Sequence, residues 1–185
     1  KTFAERLHNA SPDYFVLNAG FDQDAPNSKS TMSEDKYIIE MQKEIPDIFM
    51  FLDGWASHSY PNPAFSGSKL GVGRRSIRGY EWELSLIKKD IPVFITETGW
   101  IRPKTNNLKY AYEEVWNKDK RIIAVTPFIL NYQQEPFYDF SWKNKDGSFF
   151  PIYSEIQSIN KIDRFKPMRL IALQPGLQLI PRGLR

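Results

Sequence analysis

The residue best suited to chemistry in this 185-residue chain is Glu97, a carboxylate directly after the largely apolar run 92–96. A carboxylate that ends an apolar strand is costly unless it is solvated, paired or used in a reaction. Two interpretations follow from the pattern alone. Glu97 is a reactive carboxylate, or it forms a buried ion pair with an arginine such as Arg74 or Arg75.

Further polar and aromatic side chains follow the other apolar runs of the chain. In α/β folds, the positions just past the C-terminal ends of strands meet at one edge of the sheet, where functional residues gather. We therefore expect these side chains to share a site with Glu97. The candidates are Asn18, Trp55, His58, Tyr60, Trp100, Tyr132 and Trp142.

Helical and strand periods alternate along residues 1–160. The predicted helices span residues 2–9, 31–45, 76–87 and 108–117, and a last one opens at Pro151. The predicted strands span residues 14–17, 48–52, 92–97 and 122–130. Thr31 and Glu34 fit a capping box, and Pro127 indicates a bulge or a strand end. Repeated β-α units with both sheet faces covered imply a parallel sheet. The sequence thus predicts an α/β fold with four βα units.

Three segments resemble the clan A glycoside hydrolases, which are retaining enzymes built on (β/α)8 barrels. Residues 91–100 (IPVFITETGW) look like the seventh-strand motif, 53–61 (DGWASHSYP) resemble the sixth-strand segment, and 128–142 resemble the eighth-strand region. The resemblance implies that Glu97 is the catalytic nucleophile. It also implies that His58 and Tyr60 line the site, with the tyrosine often hydrogen-bonded to the nucleophile.

The same resemblance implies an aromatic platform under the sugar. Trp142 is the preferred residue for it, with Tyr132 or Tyr138 as alternates. Trp55 and Trp100 are further rings that could stack on a sugar, while Asn, His and Tyr side chains bind hydroxyls.

The resemblance also implies that residues 1–160 form half of a TIM-type barrel, holding strands five to eight. A barrel of this kind takes ~250 residues, and the chain has 185 with no initiator Met. We therefore expect a fragment or a partner of something longer. The unpaired edges of a half-barrel favour a homodimer or association with the missing half.

One catalytic group is missing from the pattern. A retaining glycosidase needs two carboxyl groups about 5–5.5 Å apart, and the family places the acid/base in an Asn-Glu pair, which this sequence lacks. The acid/base is predicted on a missing segment or a separate chain, with Asp22, Asp24 and Glu135 as weaker substitutes. The predicted function is retaining hydrolysis of O-glycosidic bonds. The alternative is a non-catalytic carbohydrate-binding or interaction module.

Composition bears on which cofactors and partners the chain is expected to have. The chain has no Cys and two His, so neither disulfides nor a metal-ligand spacing is expected, and no cofactor is predicted. No run of about 18 apolar residues occurs, so no membrane partner is expected. Residues 161–185 hold six of the 25 basic residues and one of the 22 acidic ones, so the remainder carries a net charge of −2. We expect a solvated basic tail containing Pro and Gly there, not a contact with nucleic acid. The sequence does not indicate a cellular compartment.

Overall fold

A parallel β-sheet covered by helices forms the centre of the computed structural model, which describes residues 1–102, 105–162 and 164. The described sheet has the strand order β1 (Trp55–His58), β2 (Val93–Thr98) and β3 (Ile122–Pro127), and both pairings are parallel. The predicted α/β class with a parallel sheet is therefore confirmed. The α-helices are α1 (Thr2–Ala10), α2 (Glu34–Glu44), α3 (Gly79–Ile87), α4 (Thr105–Tyr110) and α5 (Pro151–Ser158).

One face of the sheet carries the apolar core. Trp55 of β1, Val93 of β2 and Ile122 of β3 are register partners, and all three are buried. Tyr80 of α3 belongs to the same core, as do apolar side chains of the π-helical segment Ala111–Trp116 that continues α4. Matched burial on this face aligns the three strands, so their C-terminal ends lie along one edge.

The prediction of a strand at residues 48–52 is wrong. Ile48–Phe51 forms a 3₁₀ helix, and the sheet is entered only at Trp55. A short apolar run suits a buried strand or a helical turn equally well by its pattern. Here the ring of Phe49 packs edge-on against Trp55 with centroids 5.5 Å apart. The run therefore packs against the core next to β1 without entering the sheet.

The first predicted strand, at residues 14–17, is an extended segment with a single bridge. Leu17 forms a parallel bridge with Gly54, just before β1. Asp53 Oδ2 accepts a hydrogen bond from the backbone N–H of Val16 across 2.8 Å. The Asp53 backbone N–H in turn donates to the carbonyl of Val16 across 2.9 Å. The described part thus has three paired strands where four were predicted, and the first segment is joined to the start of β1 by only these few contacts.

Two local predictions have opposite outcomes. β3 ends at Pro127, as the sequence indicated. The capping box does not form, because the Thr31 hydroxyl donates to the carbonyl of Pro26 across 2.7 Å and Ser33 occupies the N-cap position of α2. Glu34 is buried in the first turn of that helix.

The basic tail predicted at residues 161–185 lies outside the described residues except for Lys161, Ile162 and Arg164. Arg164 donates hydrogen bonds to four backbone carbonyls between residues 116 and 122. The guanidinium therefore binds the end of the π-helical segment and the start of β3.

Among the described residues, no helix is long and apolar enough to cross a membrane.

Candidate functional site

The adjacent ends of β1 and β2 bring His58 next to Glu97. The two residues are register partners at the last position of the parallel pairing. His58 Nδ1 lies 3.6 Å from Glu97 Oε2, and the Tyr60 hydroxyl donates a hydrogen bond to the same oxygen across 3.1 Å. The Glu97 side chain keeps 40% of its surface exposed. The structure therefore brings two of the predicted site residues, His58 and Tyr60, to the accessible carboxylate of Glu97.

Buried hydroxyl groups fix the strand ends that carry these residues. Thr98 Oγ1 donates to the carbonyl of Ser59 across 2.7 Å, and the hydroxyls of Ser57 and Ser59 lie 2.8 Å apart. The backbone N–H of Tyr80 donates to Ser59 Oγ across 3.0 Å. Buried polar groups are tolerated when they are hydrogen-bonded. This network therefore lets two polar strand ends pack into the interior.

Gly20 leaves the space that the His58 ring occupies. A Cβ at Gly20 would lie 2.1 Å from His58 Nε2 and 2.3 Å from its Cδ2. Both distances are far below van der Waals contact, so any side chain at this position would displace the imidazole. The loop after the first extended segment thus helps to set the position of His58.

The environment of Tyr60 keeps its hydroxyl protonated. Burial raises the pKa of Tyr60 well above its usual value, and the charge of Glu97 and the hydrogen bond to that carboxylate raise it further. An ionised phenol would place a second negative charge beside Glu97. Tyr60 is therefore a hydrogen-bond donor to Glu97 at neutral and mildly alkaline pH.

Glu97 lies in the lining of a pocket of about 340 Å³. That volume is near the lower end of the range for small-molecule sites. The polar part of the lining consists of Asp22, Gln23, His58, Tyr60, Asn62 and Glu97. The apolar part consists of Phe65, Phe128, Phe137 and Phe140.

The three tryptophans predicted to stack on a sugar lie in the core instead. Trp55 is 0% exposed and packs between Phe21 and Phe49. Trp100 is 3% exposed and Trp142 is 7% exposed, and neither lines the pocket. A ring with no exposed face offers no stacking surface to a ligand. The stacking roles predicted for these residues, including the platform role of Trp142, are therefore corrected to core packing.

Asn18 and Tyr132 also lie outside the pocket lining. The Asn18 amide oxygen accepts from the backbone N–H of Ala56 across 2.7 Å, and its nitrogen donates to the Ala56 carbonyl across 3.0 Å. Asn18 therefore extends the edge of β1, and its predicted ligand-binding role is corrected. Tyr132 is 36% exposed and packs on Phe137 with ring centroids 5.5 Å apart. It borders a lining residue without itself lining the pocket.

The arginines considered as ion-pair partners for Glu97 bind other carboxylates. Arg74 Nη1 lies 3.3 Å from Asp35, and Arg75 Nε lies 2.6 Å from Asp24. Glu97 has an imidazole and a phenol as its neighbours instead. The ion-pair interpretation of Glu97 with these arginines is therefore wrong.

Sequence reasoning noted Phe137 after the last strand but missed other parts of the pocket, above all Phe65, Phe140 and two amides. Gln23 is 2% exposed, and its Nε2 lies 3.4 Å from the hydroxyl of Ser57. Asn62 follows Tyr60 by two positions, which is the one signal that the sequence offered for it. Phenylalanine is assigned to the core by default, so hydropathy gave no reason to place Phe65 or Phe140 in a ligand site.

Within the described residues, no cluster of His, Asp and Glu side chains is suited to hold a metal ion. No protein-family model matches the chain, and no curated protein matches it. The functional interpretation therefore depends on the geometry of the pocket and on the resemblance of its motifs.

Proposed function

We propose that this chain hydrolyses O-glycosidic bonds of a glycan or glycoside by a retaining double displacement, with Glu97 as the nucleophile. The observation that carries the proposal is an accessible carboxylate at the end of β2 whose Oε2 accepts the Tyr60 hydrogen bond. A carboxylate nucleophile must be held in place and left open to the reacting carbon. Among the described residues, the His58 and Tyr60 contacts both fall on Oε2, so Oε1 is the oxygen assigned to attack.

The chemistry has two displacements. In the first, Glu97 Oε1 bonds to the anomeric carbon while the bond to the leaving oxygen breaks, and that oxygen takes a proton from a general acid. In the second, a water oxygen attacks the same carbon, loses a proton to the conjugate base of that acid and releases Glu97. Each displacement inverts the carbon, so the product keeps its configuration. His58 and Asn62 have the hydrogen-bonding groups to bind sugar hydroxyls.

The general acid is proposed to come from outside the described residues. Asp22 is the other carboxylate of the pocket lining, and its Oδ1 accepts the backbone N–H of Asp24 across 2.8 Å. Asp24 and Glu135 do not line the pocket. Asp22 is therefore the alternative within the chain. If Asp22 were the acid, Asp22→Asn would slow the hydrolysis of glycosides with a poor leaving group by a factor of roughly 10² or more. Hydrolysis of a dinitrophenyl glycoside, whose leaving group needs no proton, would be much less affected.

The proposal extends to architecture and assembly. Parallel strands with the site at their C-terminal ends suit residues 1–160 as half of a TIM-type barrel. Ala124 and Thr126 of β3 are exposed at the outer strand of the described sheet. An unpaired strand edge favours pairing with another chain. We therefore propose a homodimer or association with a second barrel half, and a monodisperse monomer by light scattering would contradict it.

Covalent labelling tests the nucleophile directly. The purified chain is incubated with 2-deoxy-2-fluoro glycosyl fluorides of several common sugars, and the labelled peptide is identified by mass spectrometry. Fluoride leaves without help from a general acid, so labelling is expected at Glu97 even if the acid lies on another chain. Glu97→Gln should remain unlabelled. Labelling at another residue, or full hydrolytic activity of Glu97→Gln, would overturn the assignment.

Carbohydrate binding without turnover is the second candidate. The observation that favours it is the lack of an Asn-Glu pair anywhere in the sequence. It predicts saturable sugar binding by calorimetry, no labelling of Glu97 and no release of dinitrophenol from activated glycosides. Turnover by the purified chain that is lost in Glu97→Gln would reject it.

A further inference from the structure

The apolar part of the pocket is a continuous cluster of aromatic rings. Phe65 packs on Phe140 at 5.1 Å, Phe140 on Phe128 at 5.7 Å, and Phe128 on Phe137 at 5.4 Å between centroids. All three pairs are edge-to-face, with interplanar angles from 76° to 85°. We call these four residues the phenylalanine wall.

The phenylalanine wall begins directly beside the reactive carboxylate. Tyr60 donates to Glu97 through its hydroxyl, while its ring packs edge-on against Phe65 at 5.0 Å. Phe65 is 36% exposed and Phe137, further along the wall, is 41% exposed, whereas Phe140 is 4% exposed and supports these rings from behind. An accessible apolar surface therefore extends from the nucleophile along one side of the pocket.

This surface discriminates between classes of leaving group. Phenylalanine has neither a hydrogen-bond donor nor an acceptor on its side chain. A second sugar ring could place its apolar face on one of these rings, but any hydroxyl turned toward the wall would lose its hydrogen bonds to water without replacement. Burial of an aromatic or alkyl group against the wall would instead contribute favourably to the binding free energy, and an aromatic group would also form edge-to-face contacts.

We infer that the ligand of this pocket is a small glycoside with an aromatic or alkyl leaving group held against the phenylalanine wall, not the interior of a polysaccharide. The claim that the ligand contains a sugar rests on the proposed function. The claim that it contains an aromatic or alkyl group rests on the phenylalanine wall alone.

Calorimetric titration with hydrolysis-resistant ligands tests the inference. The full chain is titrated with phenyl and methyl 1-thio-β-glycosides of the same sugars, and with benzyl alcohol as a probe without a sugar. The phenyl compound is expected to bind roughly tenfold more tightly than its methyl counterpart, because it buries more apolar surface. Phe137→Ala should abolish that difference. Phe149→Ala is the matched control, since Phe149 is 42% exposed but lies outside the pocket lining.

The outcomes separate this inference from the proposed function. Equal affinity of phenyl and methyl compounds, or a phenyl preference that survives both Phe137→Ala and Phe65→Ala, would overturn the inference even if Glu97 is labelled by a fluoro-sugar. Binding of benzyl alcohol that depends on Phe137, without labelling of Glu97, would support the apolar site and count against the glycosidase. Failure of every ligand to bind, benzyl alcohol included, would overturn the inference as well.

Discussion

The hydroxyl of Tyr60 donates to Glu97 Oε2 across 3.1 Å, and so joins the segment after β1 to the end of β2. A hydrogen bond to a charged group contributes about 1.5–3 kcal/mol. We predict that Tyr60→Phe lowers turnover by about 10- to 150-fold, measured as release of dinitrophenol from an activated glycoside. Because the pKa of Tyr60 is raised, this contribution should not fade as the pH rises to mildly alkaline values.

Tyr153→Phe is the control for that substitution. Tyr153 stacks on Phe149, with ring centroids 4.1 Å apart, in α5 and outside the pocket lining. It should keep its turnover within about twofold of the unaltered chain. If Tyr60→Phe behaves like this control, the hydrogen bond to Glu97 does not contribute to the reaction.

Gly20→Ala is predicted to impair the site by moving His58. The added Cβ would lie 2.1 Å from Nε2 of the ring, so the imidazole must leave its position. We expect a loss of turnover similar to that of His58→Ala, on the order of tenfold or more, because in both variants the imidazole no longer lies beside Glu97, with its Nδ1 3.6 Å from Oε2. Thermal unfolding of each variant reports any general damage.

The double variant decides whether Gly20 acts through His58. If it does, Gly20→Ala adds little to His58→Ala, because coupled sites are not additive. Additive losses in the double variant would show that the two positions act independently and would reject the proposed steric link.

Glu34 of α2 and Glu83 of α3 form a buried carboxyl pair. Glu34 is 2% exposed and Glu83 is 0% exposed. Burial raises the pKa of Glu34 to about 10, with hydrogen bonding to Glu83 and its charge as further causes, while Arg74 opposes the shift. Asp22 adds to the increase. Two carboxylates buried side by side cannot both be ionised without a large cost, so the pair holds a proton at neutral pH.

This proton makes stability depend on pH. Between the ordinary value of 4.5 and about 10, the folded chain holds a proton on Glu34 that the unfolded chain releases. Stability therefore falls as pH rises through this window, by up to about 1.4 kcal/mol per pH unit. In Glu34→Gln the side chain is neutral at every pH and its amide can donate to Glu83, so we predict a flatter pH profile of urea midpoints and greater stability at alkaline pH.

Glu113→Gln is the control for the pH profile, since Glu113 is an exposed carboxylate in the π-helical segment. It should keep the slope of the unaltered chain. An unchanged slope in Glu34→Gln would show that this pair does not hold the proton.

Arg164→Met is predicted to destabilise the fold. The guanidinium donates to the carbonyl of Asp119 across 2.8 Å and to that of Ile122 across 3.2 Å, among others. Losing charged hydrogen bonds at a part-buried site should cost about 1.5–3 kcal/mol in the free energy of unfolding, measured from urea denaturation. Arg6→Met replaces an exposed arginine of α1 and should change stability by less than about 0.5 kcal/mol. Equal effects of the two substitutions would mean that the Arg164 contacts do not stabilise the chain.

Local pattern was enough for the class of fold and for the centre of the site. β2 and β3 are apolar runs of strand length, and helices α1 and α5 begin within a residue of their predicted starts. Glu97 stood out because a carboxylate at the end of an apolar strand is visible in the sequence itself. β1 was missed because Ser57 and His58 make it look like a loop, although hydrogen bonds satisfy Ser57 inside the core.

By itself, the sequence determined a parallel α/β chain and three residues of its candidate site, because hydrophobic period and motif spacing are properties of neighbouring residues. Only the tertiary structure decided which aromatic rings line the pocket. Trp55 lies on the sheet face that packs into the core, whereas Phe137 stays open at the pocket. Gly20 was likewise invisible as a site residue, since its role is the space it leaves for a ring 38 positions away. The burial of a side chain, and the space that a glycine leaves for a neighbour, depend on which surfaces pack together when the chain folds. No local sequence pattern specifies this packing.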